Sequence, residues 1–330
     1  MQAHATTNNQ TVEEFPGFAD ELRSYWRRLP NKAVFFPLLA AWLLLFEYLG
    51  NSTIGYINTP SLLLWMYNAY NTKSPAADDG HGFLIPFLVL GLFWWKRREL
   101  VQAVRGAWLP GLLILGCGIV AHVTGYLVQQ PKISIVGLFV GIYGLMGLAW
   151  GWRWLRASFF PFFLFAFMVP LGSQTESITF PLRLFVTKLV AFICDDILGI
   201  SVICEGTQLY DGMRTYQYEV APACGGIKSL ITVGVASIVC AYVFLKRPGN
   251  RLLLVAAALP LAVIGNTVRL LIIVFAAELF GQKGGNAAHE SAVWSMLPYI
   301  PAFLGFALLI GRLERREQNE KTVDSGLPST

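Results

Sequence analysis

Three side chains in this sequence have types that suit acyl transfer: Cys224 in EVAPACGGIKSL, Arg269 in IGNTVRLL and His289 in AAHESAVW. A thiolate attacks a carbonyl, an imidazole takes or shares the thiol proton, and a guanidinium stabilises the oxyanion that results. Each residue also has a plainer reading. Cys224 is small and apolar enough to sit at a helix end, as Cys117 and Cys240 sit within apolar runs. Arg269 has Asp195, Asp196, Glu205 and Glu278 as candidate ion-pair partners, or it snorkels outward. His289 would serve equally as a solvated loop residue or a helix cap.

The neighbours of these residues sharpen the reactive reading. A helix beginning near Ile227 points its free N–H groups and positive dipole end at the ACGG stretch, which favours a thiolate at Cys224. Lys228 adds positive charge one turn on, and Gly225 and Gly226 leave room for a substrate backbone. An Arg inside an apolar run costs roughly 2.5–3.5 kcal/mol on insertion scales and marks function by default. Asn266, one turn before Arg269, presents an amide on nearly the same helix face. Glu205 is placed to pair with Arg269 or to orient His289; its alternative is an exposed carboxylate on a hairpin.

The elements that must carry these residues belong to a membrane. Of 330 residues, 55% are hydrophobic and only 14% charged, against about 25% charged in soluble domains. The apolar residues come in blocks, which excludes an ordinary soluble enzyme and makes a nucleic-acid-binding face a poor reading of the +5 net charge. The fold class expected is therefore an all-α polytopic membrane protein of about eight transmembrane helices. Candidate spans are 33–50, 83–95, 107–128, 135–152, 157–175, 224–245, 252–278 and 290–311. No cleavable leader is visible, so the first block reads as a retained signal anchor. The chain divides into a cytoplasmic segment 1–32, a transmembrane catalytic domain 33–311 and a disordered cytoplasmic tail 312–330.

Orientation follows from the basic residues. Arg27, Arg28 and Lys32, then Lys96, Arg97 and Arg98, then Arg153 and Arg156, then Lys246 and Arg247, and finally Arg312 and Arg315 occupy every second junction. By the positive-inside rule both termini are cytoplasmic. The outer segments are then 51–82, 129–134, 176–223 and 279–289, and the three chemical residues share one face of the membrane. Within the longest outer segment, ITFPLRLFVTKLVAFICDDILGI reads as an amphipathic helix at the interface or wedged between spans. SVICEGTQLYDGMRTYQYEVAP reads as a short β-hairpin with its turn at YDGM, leading to Cys224. Gly137, Gly141, Gly144 and Gly147 fall near small-xxx-small spacing and predict close helix packing.

Five cysteines without a CxxC give no metal signature. His81 beside Asp78 and Asp79 lacks the three or four converging ligands that zinc needs. No metal and no organic cofactor is expected.

The blocks EVAPACGGIKSL, IGNTVRLL and HESAVW resemble the three signature blocks of the exosortase/archaeosortase family. Further similarity covers HGFLIPFLVLGLFWWKRREL and the stretch from PFFLFAF to ICEG, so the resemblance spans roughly residues 80–312. It implies a membrane cysteine transpeptidase whose Cys, Arg and His fall on Cys224, Arg269 and His289. It implies protein substrates with a C-terminal sorting signal: a motif such as Pro-Glu-Pro, one transmembrane helix and a basic cluster. A bacterial inner membrane is the expected location, and the alternation of basic junctions puts the three chemical residues on its extracytoplasmic face. Where the family often has Ser after the Cys this chain has Gly225, and where it often has Gly after the His this chain has Val293. The alternative reading is a transporter or polysaccharide-export component in which Arg269 binds an anion and Cys224 does no chemistry.

Overall fold

Backbone N–H and C=O groups find no partner in hydrocarbon, so a long apolar stretch is stable there only as an element that satisfies them itself. The computed structural model describes residues 17–53, 59–71, 79–172, 176–214, 216–219, 227–290 and 299–324. Its described elements are helices and one small sheet.

The chain forms two compact units, Met1–Met66 with Leu84–Val169, and Tyr67–Phe83 with Pro170–Thr330. The first unit contains α1 (Phe18–Arg28), α2 (Lys32–Leu49), the start of α3 (Leu62–Tyr70), α4 (Ile85–Trp95), α5 (Arg97–Ala103), α6 (Gly111–Leu127), α7 (Pro131–Trp150) and α8 (Trp152–Phe163). Its core is the α6–α7 pair, which rests on interleaved glycines. A Cβ on Gly118 would lie 2.7 Å from the Gly141 nitrogen, and one on Gly144 would lie 2.6 Å from the Leu115 nitrogen. The backbones touch because nothing stands between them, as the glycine spacing predicts. On its other side Gly141 faces the ring of Trp42, whose Nε1 donates to the Leu138 carbonyl at 3.0 Å and ties α2 to α7.

The second unit begins with the end of α3 and a 3₁₀ turn at Gly80–Phe83. It continues with α9 (Glu176–Phe192), a π-helical turn at Ile193–Ile197, strands β1 (Val202–Glu205), β2 (Gln208–Asp211) and β3 (Gln217–Glu219), α10 (Ile227–Phe244), α11 (Pro248–Ala256), α12 (Ala258–Glu290) and α13 (Tyr299–Asp324). Its main core joins Val186 and Val190 of α9, Leu209 of β2 and Leu270, Ile273 and Ala277 of α12. Along α9, Arg183 and Thr187 are buried while Phe180, Phe185 and Phe192 are exposed. That inversion suits a helix whose outer surroundings are apolar.

The described parts of the expected spans are largely helical; residues 173–175, 224–226 and 291–298 of those spans lie outside the described residues. Among the described residues three stretches are long and apolar enough to cross a membrane, Lys32–Leu49, Pro131–Trp150 and Pro248–Ala288, and Gly80–Trp95, Gly111–Leu127 and Ile231–Phe244 are shorter apolar helices.

Three local expectations change. The hairpin is a three-stranded antiparallel meander: the expected turn at YDGM joins β2 to β3, and an additional turn at Gly206, with φ +64°, joins β1 to β2. Asp211 opens the β2–β3 connection, where its Oδ1 accepts the Tyr216 N–H at 3.0 Å. Residues 282–290, expected as loop, continue α12 as helix beyond a bend at Gly281, with φ 66° and ψ −171°. The stretch is polar but rich in Ala and amide side chains, and only Gly281 leaves helical geometry. The segment after 312, expected as disordered, is helical to Asp324. Glu317 explains why that helix docks. Its buried carboxylate accepts the N–H groups of Lys246 and Arg247 and the Asn250 amide, each at 2.9 Å.

Two predictions follow from these contacts. Gly118→Ala should destabilise the detergent-solubilised protein by about 1–3 kcal/mol. Gly116→Ala, where nothing lies within 4 Å, should be neutral or slightly stabilising, and thermal unfolding of the two variants checks this. For Glu317, burial alone would raise its carboxyl pKa, but the backbone donors of Arg247 and Lys246 and the Asn250 amide outweigh it and hold it below the ordinary value of 4.5. A carboxyl depressed on folding stabilises fully above its unfolded pKa, and that contribution is lost as pH falls through the folded value. The protection factors of the Lys246 and Arg247 amides, corrected for the intrinsic rate at each pH, should therefore fall on acidification. Glu317→Gln should remove about 1.5–3 kcal/mol of local protection at neutral pH and abolish that acid dependence.

Candidate functional site

Asn266 and Arg269 are set by α12, whose apolar run is helical by both length and pattern. Asn266 is 4% exposed and Arg269 is partly buried. Thr267, between them, returns its hydroxyl to the Val263 carbonyl at 2.8 Å. Asn266 and Arg269 have no such local outlet. The Asn266 Nδ2 and the Arg269 Nε are both buried without a hydrogen-bond partner among the described residues. Leaving a buried donor unmet costs about 1–3 kcal/mol, and more for a charged group. Two unmet donors one turn apart are a site-like feature, since buried polar groups are otherwise nearly always paired.

Two of the candidate counter-ions have other partners and two are exposed. Glu205 pairs with Arg214 across the β1–β2 hairpin, and both are about half exposed. Glu278 accepts the Tyr216 hydroxyl at 3.4 Å. Asp195 and Asp196 are exposed on the π-helical turn. Among the described residues none of the four pairs with Arg269. Glu205 is thus half exposed and paired with Arg214.

The sheet is fastened to the bend of α12. The Gln217 N–H donates to Gln282 Oε1 at 2.8 Å, and Gln282 Nε2 donates back to the Gln217 carbonyl at 3.2 Å and to Asn286 Oδ1 at 2.9 Å. Burial and the nearby Glu278 and Asp211 carboxylates push the Tyr216 hydroxyl pKa up, so it stays a donor. Beyond Gly281 the helix turns so that Ala288 joins the same core as Leu270 and Ile273. Gly284 permits the turn, because a Cβ there would meet the Ala276 carbonyl oxygen at 2.7 Å. An apolar cavity of about 400 Å³ lies in the crook, bounded by Ala276, Leu279, Phe280, Gly284 and Ala288.

The end of β3 and the start of α10 therefore bracket the segment that contains Cys224, and α12 carries both Arg269 and the backbone of His289. Helix α10 begins at Ile227, as expected, and packs along α12. Cys224, Gly225 and Gly226 lie outside the described residues, as do the side chains of Lys228 and His289. Burial pushes the thiol pKa of Cys194 up to about 11, and burial raises that of Cys204 against the lowering effect of Lys188. Among the described residues no three His, Cys, Asp or Glu side chains gather closely enough to hold a metal ion.

Sequence reasoning missed the Gln217–Gln282 and Tyr216–Glu278 contacts, because amide and phenol pairings across strand and helix have no spacing signal. It considered Asp79 only beside His81 and Asp78 and missed that its two carboxylate oxygens accept the N–H groups of Leu171 and Gly172 at 3.0 Å each.

The family model of the transmembrane exosortases matches residues 72–311. No curated protein and no solved structure matches the chain.

An Arg that holds the fold and an Arg held ready for a ligand respond differently to an apolar replacement. Arg269→Met should leave thermal stability unchanged or raise it by about 1–3 kcal/mol, since it removes an unmet buried donor. A loss of stability of that size would make Arg269 a structural residue.

Proposed function

The chain belongs to the transmembrane exosortase family, and from that premise we propose that it is a membrane-embedded cysteine transpeptidase acting on proteins with a C-terminal sorting signal. The observation that carries the reading is the pair of unmet buried donors, Asn266 Nδ2 and Arg269 Nε, on the helix that also carries His289. Eight spans with both termini on the basic, cytoplasmic side put Cys224, Arg269 and His289 at the opposite face of an inner membrane. Covalent geometry keeps Cys224 within about 11 Å of Ile227, at about 3.6 Å per residue, hence close to the positive end of α10.

In this mechanism His289 takes the Cys224 thiol proton, and the thiolate attacks a backbone carbonyl near the outer end of the substrate's helix. The electron pair displaced onto oxygen is stabilised by the Arg269 guanidinium and the Asn266 amide, donors already desolvated and unpaired. Collapse of the tetrahedral intermediate breaks the C–N bond. The departing amine takes the proton from the His289 imidazolium and leaves with the substrate's helix and basic cluster. The acyl group remains as a thioester on Cys224. An acceptor nucleophile or water, giving its proton to His289, then attacks the thioester and releases the thiolate. Gly225 and Gly226 leave the approach to the sulfur free of side chains, and Lys228 supports the thiolate. Glu205 takes no part.

The reading predicts that Cys224→Ala abolishes processing of a co-expressed protein with motif, helix and basic cluster. A wild-type thioester adduct, sensitive to hydroxylamine, should be trapped at Cys224 by mass spectrometry. Arg269→Met should lower kcat/KM by about 10²–10³-fold, the range for loss of one oxyanion donor. Full processing or transport by Cys224→Ala would favour the anion-transport reading instead.

A further inference from the structure

The first unit contains a second cavity, of about 420 Å³, remote in sequence from the three chemical residues. Its roof is the inward face of α1, with Leu22, Tyr25 and Trp26, and its walls include Phe93, Trp150 and Trp154. Helix α1 is fixed over it. The Asn31 amide donates to the Ala149 carbonyl at 2.9 Å, and the Trp150 indole donates to the Pro30 carbonyl at 3.1 Å, so the corner between α1 and α2 is pinned to the end of α7. Arg97 closes a further side. It pairs with Glu21 of α1 at 2.7 Å and lies over the Trp94 ring.

Three properties of the cavity define an occupant. Its wall is almost wholly apolar, so the bulk of the occupant is hydrocarbon. One donor is left over: Trp154 is 4% exposed, and its Nε1 has no hydrogen-bond partner among the described residues. A single acceptor such as an acyl ester carbonyl satisfies it. The neighbouring surface is basic, with Arg27 and Arg28 exposed in the last turn of α1, Lys32 opening α2, and Arg98 exposed on α5. Basic pockets between helices at a membrane surface take anionic headgroups.

We propose that this cavity is a binding site for an anionic glycerophospholipid of the leaflet at the basic end of the unit. An acyl chain fills the aromatic cavity, an ester carbonyl accepts from Trp154 Nε1, and the phosphate lies among Arg27, Arg28 and Lys32. The site is independent of the acyl-transfer chemistry.

The test uses the purified full chain in mixed bilayers with a dibrominated acyl phosphatidylglycerol or phosphatidylcholine, read by tryptophan fluorescence. Trp150 and Trp154 are 5% and 4% exposed, so bulk lipid reaches them poorly and a lipid held in the cavity quenches them. The brominated phosphatidylglycerol should quench saturably, at a mole fraction at least fivefold below that needed with phosphatidylcholine, which corresponds to about one basic residue's attraction for an anionic surface. Unbrominated phosphatidylglycerol should relieve the quenching. Arg27→Gln/Arg28→Gln should remove the headgroup preference, and Trp154→Phe should weaken binding of both lipids. Quenching that is equal for the two headgroups, or that never saturates, overturns the proposal, as does a preference unchanged by the double substitution.

Discussion

A polar group buried away from water needs a hydrogen-bond partner, and that constraint decides how the buried polar groups among the described residues are used. A buried donor or acceptor must find its partner inside the protein or await one from a ligand. The buried carboxylates take the first course, and each fastens a turn of chain. Asp79 holds the amides of Leu171 and Gly172, Asp211 holds that of Tyr216, and Glu317 holds those of Lys246 and Arg247. Acceptors with two oxygens suit this work, because loop amides are donors that no helix satisfies. Asn266 Nδ2 and Arg269 Nε do not follow this pattern: they sit mid-helix, where neighbouring carbonyls are already committed, and no carboxylate among the described residues meets them.

Placing an arginine there is energetically possible because of its neighbours. On insertion scales Arg costs roughly 2.5–3.5 kcal/mol at the middle of a helix, and Leu, Ile, Phe and Val each return roughly 0.3–0.6 kcal/mol. The run Leu270, Leu271, Ile272, Ile273, Val274 and Phe275 directly after Arg269 therefore offsets about 2–3.5 kcal/mol. The helix can therefore carry an arginine whose Nε has no partner among the described residues.

Much of this was legible in the sequence. The start of α10 at Ile227 follows from ACGG, since two glycines cannot open a stable apolar helix and Ile227 can. The α6–α7 contact follows from glycine spacing, and Arg269 announces itself by its cost. What was not legible depends on partners far along the chain. The polar run after Gly281 looks like loop until Gln282 is seen to hold Gln217 and Ala288 to enter the core. The segment after 312 looks disordered until Glu317 meets the turn before α11. The turn at YDGM was legible from its Asp-Gly pair, but the earlier turn at Gly206, which makes the hairpin a three-stranded meander, was not.

The bend at Gly281 links these threads. A straight α12 would carry residues 282–290 away from the core that holds Leu270 and Ile273. With Gly281 at φ 66° and Gly284 yielding to the Ala276 carbonyl, the helix turns back instead, and Ala288 packs beside Tyr216. The Gln217–Gln282 hydrogen bonds then hold the last strand against the same bend. Two long-range sequence segments, one leading to Cys224 and one to His289, are thereby referred to a single rigid helix that also carries Arg269. A scaffold of this kind needs little reorganisation when charge develops, and in a low-dielectric setting fixed donors are worth more than they would be in water.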